Sequence, residues 1–461
     1  MRDLWRAVSE NQVLNSIDDL LPGDTFLVGG CVRDFLLGVE PQDFDVITTL
    51  DVWPVALRIA SRLHTHPFWI DRQRMIARIT DPATGACVDI APPKKAGIEE
   101  DLWDRDITIN AVGYDIRGKR IMDPTGGVRD LRCGLIRIVS EHSLADDPVR
   151  SLRCIRFSLQ FDFSITEETL VLLRKQAPHG LPVAPERIKQ ELVKTLNLPH
   201  GGRCFSLLES TGYLKSLFPE AFLNDDERTR GQIIRHALRT ADHVDRILPF
   251  AHLWFPGISD HFQDYLESGV SRAVVLRLAA FLHGIAATNT AGEQIEGSTA
   301  FPGVRSASRI LQELTFSSRS SMHIDKILQG FSLLGSFYPG DFCSNSSLHR
   351  FCSRVRACGP EVLLLAMAHA QEPDNTPEFE PVHSLGREGL ERVWTYCSGP
   401  FRYQIDNPLV TGHDVITELG ISPGPCVGAY LQIIEEARAE GKLTSRQEAL
   451  EYLRRVGRER I

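Results

Sequence analysis

Near its N-terminus the chain reads Leu27-Val-Gly-Gly-Cys-Val-Arg-Asp-Phe-Leu-Leu-Gly-Val-Glu-Pro-Gln-Asp-Phe-Asp-Val-Ile-Thr-Thr49. A short β-type run ends there in Gly29 and Gly30, and the spacing of residues from Cys31 to Leu37 predicts a helix. Glycines just before a helix allow a ligand to approach the backbone N–H groups closely, which suits a triphosphate. Arg33, in the first turn of this helix, would add a fixed cation. The first half of the run therefore predicts a phosphate-binding turn.

The second half of the run contains two carboxylates in a β-type segment. Asp43 and Asp45 are two residues apart, so both side chains face the same side of a strand, about 7 Å apart along it. Carboxylate and phosphate oxygens are the ligands that magnesium prefers. Two such ions would activate an attacking 3′-hydroxyl and stabilise a departing pyrophosphate. Either Asp-x-Asp or Gly-Gly alone usually marks a turn, but their combination predicts a metal-dependent site for phosphoryl transfer.

Outward from this run, strands and helices alternate over the first 140 residues, and helical patterns take over from about Asp146. Strands are predicted at Thr25–Val28, Phe44–Thr48, Met75–Ile79, Cys87–Ile90 and Leu135–Ile138. Helices are predicted at Pro148–Leu159, Thr166–Gln176, Pro185–Leu196, Gln232–Leu248 and Val270–Ile285. We therefore expect an α/β head followed by a long all-α region.

Composition restricts the class of protein. A chain of 461 residues with 43% hydrophobic and 24% charged residues is typical of a globular protein with about two to four domains. It has no apolar run of bilayer length and no N-terminal apolar leader, so we expect a cytoplasmic protein without a membrane partner. The ten cysteines include no Cys-x-x-Cys pair, which favours reduced thiols scattered through cores. A net charge of −9 means that any nucleic-acid contact needs a local basic stripe.

The glycine turn followed by Asp-x-Asp resembles the opening motif of the bacterial-type (class II) tRNA nucleotidyltransferase and poly(A) polymerase family. Four later segments resemble further motifs of that family: Glu99–Ala111, Asp123–Leu131, Asp146–Phe157 and Pro185–Lys194. Thr411–Gly428 is similar to its C-terminal signature. The resemblance implies a polymerase β-like head with a mixed sheet, and two Mg²⁺ ions held by the catalytic Asp43 and Asp45.

The resemblance also assigns residues to nucleotide binding. It implies nucleotide contacts for Gly29, Gly30, Arg33, Arg105, Asp106, Asn110, Asp147, Arg150, Arg153 and Arg156. Of these, Asp147 and Arg150 would read the incoming base, since one acceptor and one donor can imitate a pairing partner for C or A. Lys189 and Lys194, with Arg454 and Arg455 near the C-terminus, are expected to contact RNA.

As a whole, the resemblance implies addition of C and/or A to the 3′ end of tRNA from CTP and ATP, with release of pyrophosphate. The sequence leaves open a poly(A) polymerase acting on other RNA, an enzyme adding only CC or only A, and a non-catalytic RNA-binding homologue. The expected domains are a catalytic head at 1–140, a neck at 141–215, a helical body at 216–335 and a tail at 336–461. The oligomeric state is not predicted.

Three departures from the family pattern affect this interpretation. Asp104 stands where the family has an arginine, which predicts weaker nucleotide binding, while Asp146 replaces a glutamate of the same charge. Full CCA-adding members carry a longer flexible loop where this chain has only Lys94–Ile98. In this family a short loop is typical of enzymes that add only CC. Asp89 is a candidate third carboxylate near the metals.

The body resembles the HD phosphohydrolase pattern found inside some family members. His243 and the segment Leu276–Ile285 carry this likeness, but Gly284 follows His283 where an active site needs aspartate. We therefore expect a degenerate HD-like scaffold rather than a metal hydrolase, with both histidines in the core or at the surface.

Overall fold

The computed structural model describes residues 4–21, 23–94, 97–222, 226–288, 302–336, 344–370 and 380–459. The chain forms two compact units, Met1–Thr195 with Ser210–Ser216, and Leu196–Glu209 with Leu217–Ile461. Among the described residues, no helix has the length and hydrophobicity needed to span a membrane.

The first unit contains a seven-stranded mixed sheet with the strand order β3-β4-β5-β2-β1-β6-β7. Only β2 and β5 pair in parallel; the other neighbours are antiparallel. The strands are β1 Thr25–Val28, β2 Asp43–Thr48, β3 Phe68–Asp71, β4 Ile76–Thr80, β5 Cys87–Ala91, β6 Gly113–Asp115 and β7 Arg120–Met122. A separate parallel pair joins β8 Leu135–Ile136 to β9 Ser164–Ile165.

Helices pack on this sheet and continue beyond it. They are α1 Leu4–Glu10, α2 Gln12–Ile17, α3 Gly30–Leu37, α4 Val52–Arg62, α5 Ile98–Trp103, α6 Gly127–Cys133, α7 Glu141–Asp146, α8 Arg150–Phe161, α9 Glu167–Gln176, α10 Pro185–Leu196 and α12 Leu214–Leu217, whereas most of α11 Cys204–Thr211 belongs to the second unit. The side chains of Phe44 and Val46 on β2 are buried, which fixes the opposite face of that strand toward solvent. The predicted α/β head with a mixed sheet is confirmed.

Where the structure describes it, the second unit is helical apart from the short hairpin of β10 Tyr265–Glu267 and β11 Val270–Ser271. Its helices are α13 Glu227–Ile247, α14 Arg272–Thr288, α15 Pro302–Glu313, α16 Ser318–Ser336, α17 Asn345–Val355, α18 Gly359–His369, α19 Glu380–Tyr396, α20 Arg402–Asp406, α21 Gly412–Leu419, α22 Pro425–Ala439 and α23 Arg446–Glu459. Nearly every residue of α18 is buried, as expected for a central helix that is apolar all round. The predicted change from α/β to helical structure is confirmed.

The cysteine prediction is wrong in part. Cys352 and Cys397 form a disulfide with their Cα atoms 5.8 Å apart. Their sequence separation of 45 gives no local motif, so only the packing of α17 beside the end of α19 reveals the pair. Cys31, Cys154, Cys204 and Cys358 are buried thiols, as predicted, while Cys133 and Cys426 are exposed. Cys343 lies outside the described residues.

Candidate active site

Asp43 and Asp45 lie on one face of β2, between the buried Phe44 and Val46. Both side chains are exposed. Neither carboxylate forms a hydrogen bond or ion pair with another residue that the structure describes. Two hard oxygen ligands on one strand face, without competing protein partners, fit a divalent cation such as Mg²⁺.

The glycine turn lies directly beside this strand, because β1 pairs with β2 and places Val28 opposite Asp45. Gly29 has φ 77° and ψ −134° and caps the start of α3. A Cβ atom built on Gly29 would lie 2.5 Å from Nη1 of Arg105 and 3.2 Å from Oδ2 of Asp45. The turn therefore requires glycine for two reasons, its backbone conformation and the close approach of these side chains.

The surroundings of Asp45 disfavour its negative charge. Although the residue is exposed, the protein around its carboxyl group partly displaces water and raises the pKa of Asp45; Arg105 opposes this, and the nearby Asp89 and Asp43 raise the pKa further. Asp89 is in register with Asp45 on β5 and accepts two hydrogen bonds of 2.7 Å from Arg78. The predicted third carboxylate is thus adjacent to Asp45, but it is ion-paired with Arg78. Three clustered carboxylates create a demand for positive charge that a bound cation would meet.

The side chain of Arg33 is largely buried, and its nucleotide contact stays a prediction. Its side chain is 7% exposed and donates to Oδ1 of Asn110 at 2.6 Å and to Asp34 at 2.7 Å. Its guanidinium lies over the ring of Phe161, 4.7 Å from the centroid. Arg33 therefore joins α3 to the segment that follows Arg105.

Arg105 lies closest to the turn. Its Nη2 donates to Asp101 at 3.3 Å and its Nη1 to the backbone oxygen of Asn110 at 3.4 Å. Asp101 is 1% exposed and was not predicted from the sequence. The carboxylate of Asp104, which stands where the family has an arginine, lies 3.7 Å from Nζ of Lys94, so its charge has a partner.

Asp106 is a buried structural carboxylate. It accepts from Nε of Arg153 at 2.7 Å and from the backbone N–H of Ile107 at 2.9 Å. Burial alone would raise the pKa of Asp106, but the charge and hydrogen bond of Arg153 outweigh it and hold the pKa below its usual value. Arg153 thereby links α8 to the Asp106 segment.

The predicted base-reading pair is arranged by contacts outside its own motif. Oδ2 of Asp147 accepts from Nη2 of Arg187 at 2.7 Å, and Nη1 of Arg150 donates to the backbone oxygen of Ser143 at 3.1 Å. Arg187 lies on α10, 40 residues beyond Asp147. A motif search cannot identify such a partner, although the Arg187 position lies within the segment Pro185–Lys194 that carried part of the resemblance.

The cations expected to contact RNA differ in availability. Lys194 lies 3.4 Å from Glu191, whose carboxylate also pairs at 2.7 Å with Arg156, a predicted nucleotide contact. Lys189 is half-buried, whereas Lys194 is exposed. Arg454 forms a two-point pair with Glu418, at 2.7 and 3.1 Å, and Arg455 lies over the ring of Tyr452. RNA contact by these residues stays a prediction.

The HD-like segment is a packed helix interface. His283 is buried, and His243 contacts the backbone oxygen of Ala368 through Nδ1 at 3.2 Å. A Cβ atom on Gly284 would lie 3.1 Å from Cβ of Ala237 on α13. The close approach of α13 and α14 explains why glycine, rather than a bulkier aspartate, fits at position 284.

Comparison with protein families matches residues 25–137 to the poly(A) polymerase head domain. Residues 162–223 match a domain described as the probable RNA- and SrmB-binding site of polymerase A. The first match spans the glycine turn, the carboxylate pair and the Arg105 segment.

Known proteins match over nearly the whole chain. It is 30% identical to a CC-adding tRNA nucleotidyltransferase of Synechocystis sp. over 448 residues, 95% of each chain. It is 29% identical to a CC-adding tRNA nucleotidyltransferase of Geobacter sulfurreducens, covering 93% of this chain and 91% of that one. An A-adding tRNA nucleotidyltransferase of Deinococcus radiodurans is 28% identical, with 95% and 96% covered.

Solved structures share the fold. A CCA-adding enzyme in complex with ATP aligns with a TM-score of 0.70 at 22% identity, covering 98% of this chain and 96% of the other. The Thermotoga maritima CCA-adding enzyme in complex with tRNA aligns with a TM-score of 0.67 at 23% identity, covering 98% of each chain.

Proposed function

Because this chain belongs to the family of tRNA nucleotidyltransferases and poly(A) polymerases, we propose that it adds cytidylate residues to the 3′ end of tRNA. The observation that carries the transferase assignment is the pair Asp43 and Asp45, exposed on one face of β2 beside the Gly29 turn. The relatives from Synechocystis sp. and Geobacter sulfurreducens, both named CC-adding enzymes, favour the addition of CC. The short connection at residues 92–97, between the end of β5 and the start of α5, also favours it.

The metal requirement of the family fits the residues present. Nucleotidyltransferases of this type use divalent metal ions, and Asp43 and Asp45 would hold them, with two Mg²⁺ ions expected. When bound, these ions lower the pKa of the RNA 3′-hydroxyl and stabilise the leaving pyrophosphate. The raised pKa of Asp45 means that a nearby positive charge would stabilise its ionised carboxylate.

The other residues bind and orient the nucleotide. The first turn of α3 presents backbone N–H groups to the triphosphate, and Arg105 beside Gly29 supplies a cation. Asn110 and Asp106 hold Arg33 and Arg153 in fixed positions. These pairs keep the glycine turn and α8 in place.

Base selection is assigned to Asp147 and Arg150. A carboxylate can accept from the exocyclic amino group of cytosine, and a guanidinium can donate to its ring nitrogen and carbonyl oxygen. Arg187 donates to one oxygen of the Asp147 carboxylate. The other oxygen accepts from the backbone N–H of Val149 at 3.4 Å. Arg187 is therefore a positioning residue for nucleotide choice.

The test is an incorporation assay with purified protein and Mg²⁺. Transcripts of tRNA ending at the discriminator base, at C and at CC, together with an unrelated RNA, are incubated with labelled CTP or ATP. We expect C to be added to the first two tRNAs and no A to be added to any RNA. Addition of A only to the tRNA ending in CC would identify an A-adding enzyme, and A added to unrelated RNA a poly(A) polymerase.

Variants separate catalysis from RNA binding. Asp43→Asn and Asp45→Asn should each reduce incorporation at least about a thousandfold, equivalent to roughly 4 kcal/mol in the barrier, while tRNA binding is retained. Asp51→Asn is the matched control, because Asp51 caps α4 through its side chain and asparagine caps equally well. If the wild-type protein binds tRNA but incorporates nothing, the non-catalytic alternative is correct.

A further inference from the structure

Three histidines from distant parts of the sequence meet in the second unit. His236 lies on α13, His283 on α14, and His369 is the last residue of α18. One ring nitrogen from each lies within 4.8 Å of the other two, which makes this a potential metal-binding group among the described residues. Only His283 lies in the HD-like segment Leu276–Ile285, and the three residues share no local motif.

The geometry of the cluster suits a metal ion. The Nε2 atoms of His236 and His283 are 3.1 Å apart. Two nitrogens bound to one tetrahedral zinc, each at about 2.0–2.1 Å, are separated by about 3.3 Å. Small side-chain rotations would therefore bring these two nitrogens to ligand positions, and His369 lies near enough to complete a set of three.

His283 has a second contact that is typical of a metal-bound histidine. Its Nδ1 lies 2.6 Å from the backbone oxygen of Ala280 and donates to it. In a neutral imidazole this leaves Nε2 unprotonated and directed toward His236. Hydrogen bonding of the second ring nitrogen to a carbonyl commonly orients metal-ligating histidines.

Burial favours neutral ligands. His283 is 4% and His369 1% exposed, while His236 is half-buried. The ring of Phe331 packs 5.3 Å from the rings of both His283 and His369 and closes one side of the cluster.

We propose that His236, His283 and His369 bind one divalent transition-metal ion of the zinc class, which joins α13, α14 and α18. Three neutral nitrogen ligands select zinc, cobalt, nickel or copper over magnesium, so this site and the carboxylate site on β2 would hold different metals. A fourth position, on the accessible side of His236, is left for water. The ion would stabilise the helical unit, and the assignment does not depend on the proposed transfer reaction.

The set differs from the ligand pattern of an HD phosphohydrolase. That pattern needs an aspartate directly after His283, but Gly284 is held there by contact with Ala237. His369, from a different helix, takes part in the cluster instead. A site with three imidazoles and no carboxylate would be a helix cross-link rather than a hydrolase.

The experiment measures metal binding in full-length protein purified without a histidine tag. The Asp43→Asn/Asp45→Asn double variant serves as the parent, since it removes the carboxylate site. After treatment with a chelator, this protein is titrated with Zn²⁺ and, separately, with Co²⁺, whose visible spectrum reports tetrahedral coordination. We expect one tightly bound ion per chain, an intense Co²⁺ absorption band, and a higher Tm with Zn²⁺.

Substitutions locate the ion. His236→Ala and His369→Asn should each lose the bound ion, the Co²⁺ band and the Zn²⁺-dependent rise in Tm. His243→Gln is the matched control, because His243 lies on the same helix outside the cluster, and it should bind as the parent does. Circular dichroism confirms that each variant is folded. The proposal is overturned if the parent binds no ion, or if His236→Ala and His369→Asn bind Zn²⁺ as tightly as His243→Gln.

Discussion

The absence of a side chain at Gly29 allows Arg105 to lie against the glycine turn. Gly29 and Gly38 flank α3 and share φ 77°, but a Cβ atom would strike Arg105 at position 29 and meet nothing within 4 Å at position 38. We expect Gly29→Ala to destabilise the protein by about 2 kcal/mol, from backbone strain and displacement of Arg105. Incorporation should fall at least about tenfold because Arg105 moves.

The matched variant Gly38→Ala separates the effect of backbone strain from the effect of the close contact with Arg105. Gly38→Ala places an L-residue in the left-handed conformation, which costs about 1 kcal/mol, with no neighbour to displace. Urea unfolding and steady-state kinetics of both variants provide the comparison. Equal losses of stability and activity would show that the approach of Arg105 to Gly29 has no functional role.

Arg187 gives a second prediction for a single residue. The pair between Arg187 and Asp147 is partly exposed, with side-chain accessibilities of 50% and 26%, so it contributes only about 0.2–1 kcal/mol to folding. Arg187→Met should therefore leave Tm nearly unchanged but raise the KM for CTP several-fold and weaken discrimination against ATP. Arg187→Lys should restore part of this discrimination. Arg174→Met, at a similarly exposed arginine, is the control; a parallel change in KM there would refute positioning by Arg187.

From the sequence, the positions of the carboxylates on their strand could be predicted better than the contacts that the side chains of the site make. The Asp-x-Asp spacing placed Asp43 and Asp45 on one exposed strand face, because alternation in a strand is a local property. The helical position of Arg33 did not show that its guanidinium turns inward to Asn110, 77 residues further along the chain. Long-range pairs depend on tertiary packing, which no local pattern encodes.

At the scale of elements, the contact of α13 with α14 is set by small residues. A Cβ atom on Gly284 would lie 3.1–3.2 Å from Ala237, including its backbone nitrogen, which cannot move freely. Gly284→Ala should therefore destabilise the protein by about 1–3 kcal/mol through overpacking. Gly231→Ala, on α13, would meet only the flexible end of Arg235 and should stabilise the helix by up to about 1 kcal/mol.

Thermal unfolding of the two glycine variants distinguishes these effects, since both changes add the same methyl group to a helix. A gain in Tm for both would show that the α13–α14 interface tolerates the extra volume at position 284. In that event, close packing would no longer account for glycine at this position.

Elements with strong periodicity were the ones that the sequence predicted well. Pro185–Leu196 and Thr25–Val28 have the predicted bounds, because a helical stripe and a short β-branched or aromatic run are both local signals. The edge strands β3 and β7, and β6 beside β7, were missed. Of these, β6 and β7 have only three residues each, too few to show alternation.

At the scale of the whole molecule, the second unit is built around a buried charged network. Glu361 on α18 is 0% exposed and accepts from Arg272 at 2.9 Å and from His323 at 3.0 Å, while His261 lies 3.0 Å from its other oxygen. These residues come from positions 261 to 361, so the network joins α14, α16 and α18. No sequence pattern predicted it, since a lone glutamate in an apolar helix carries no sign of its partners.

This network predicts how stability depends on pH. Burial would raise the pKa of Glu361, but hydrogen bonds from His261 and His323 outweigh it and lower the pKa from 4.5 to about 2. A depressed pKa means that the ionised carboxylate stabilises the fold fully above pH 4.5 and that this contribution, about 3 kcal/mol, is lost as the pH falls from 4.5 toward 2.

Hydrogen exchange of α18 peptides at pH 6, 4.5 and 3 should show protection decreasing over that window. Glu361→Gln should lower protection at pH 6 and flatten the decrease, because its amide cannot lose a charge. Glu435→Gln, at a partly exposed glutamate 3.5 Å from His349, should leave the wild-type profile unchanged. An undiminished decrease in Glu361→Gln would place the acid sensitivity of this unit elsewhere.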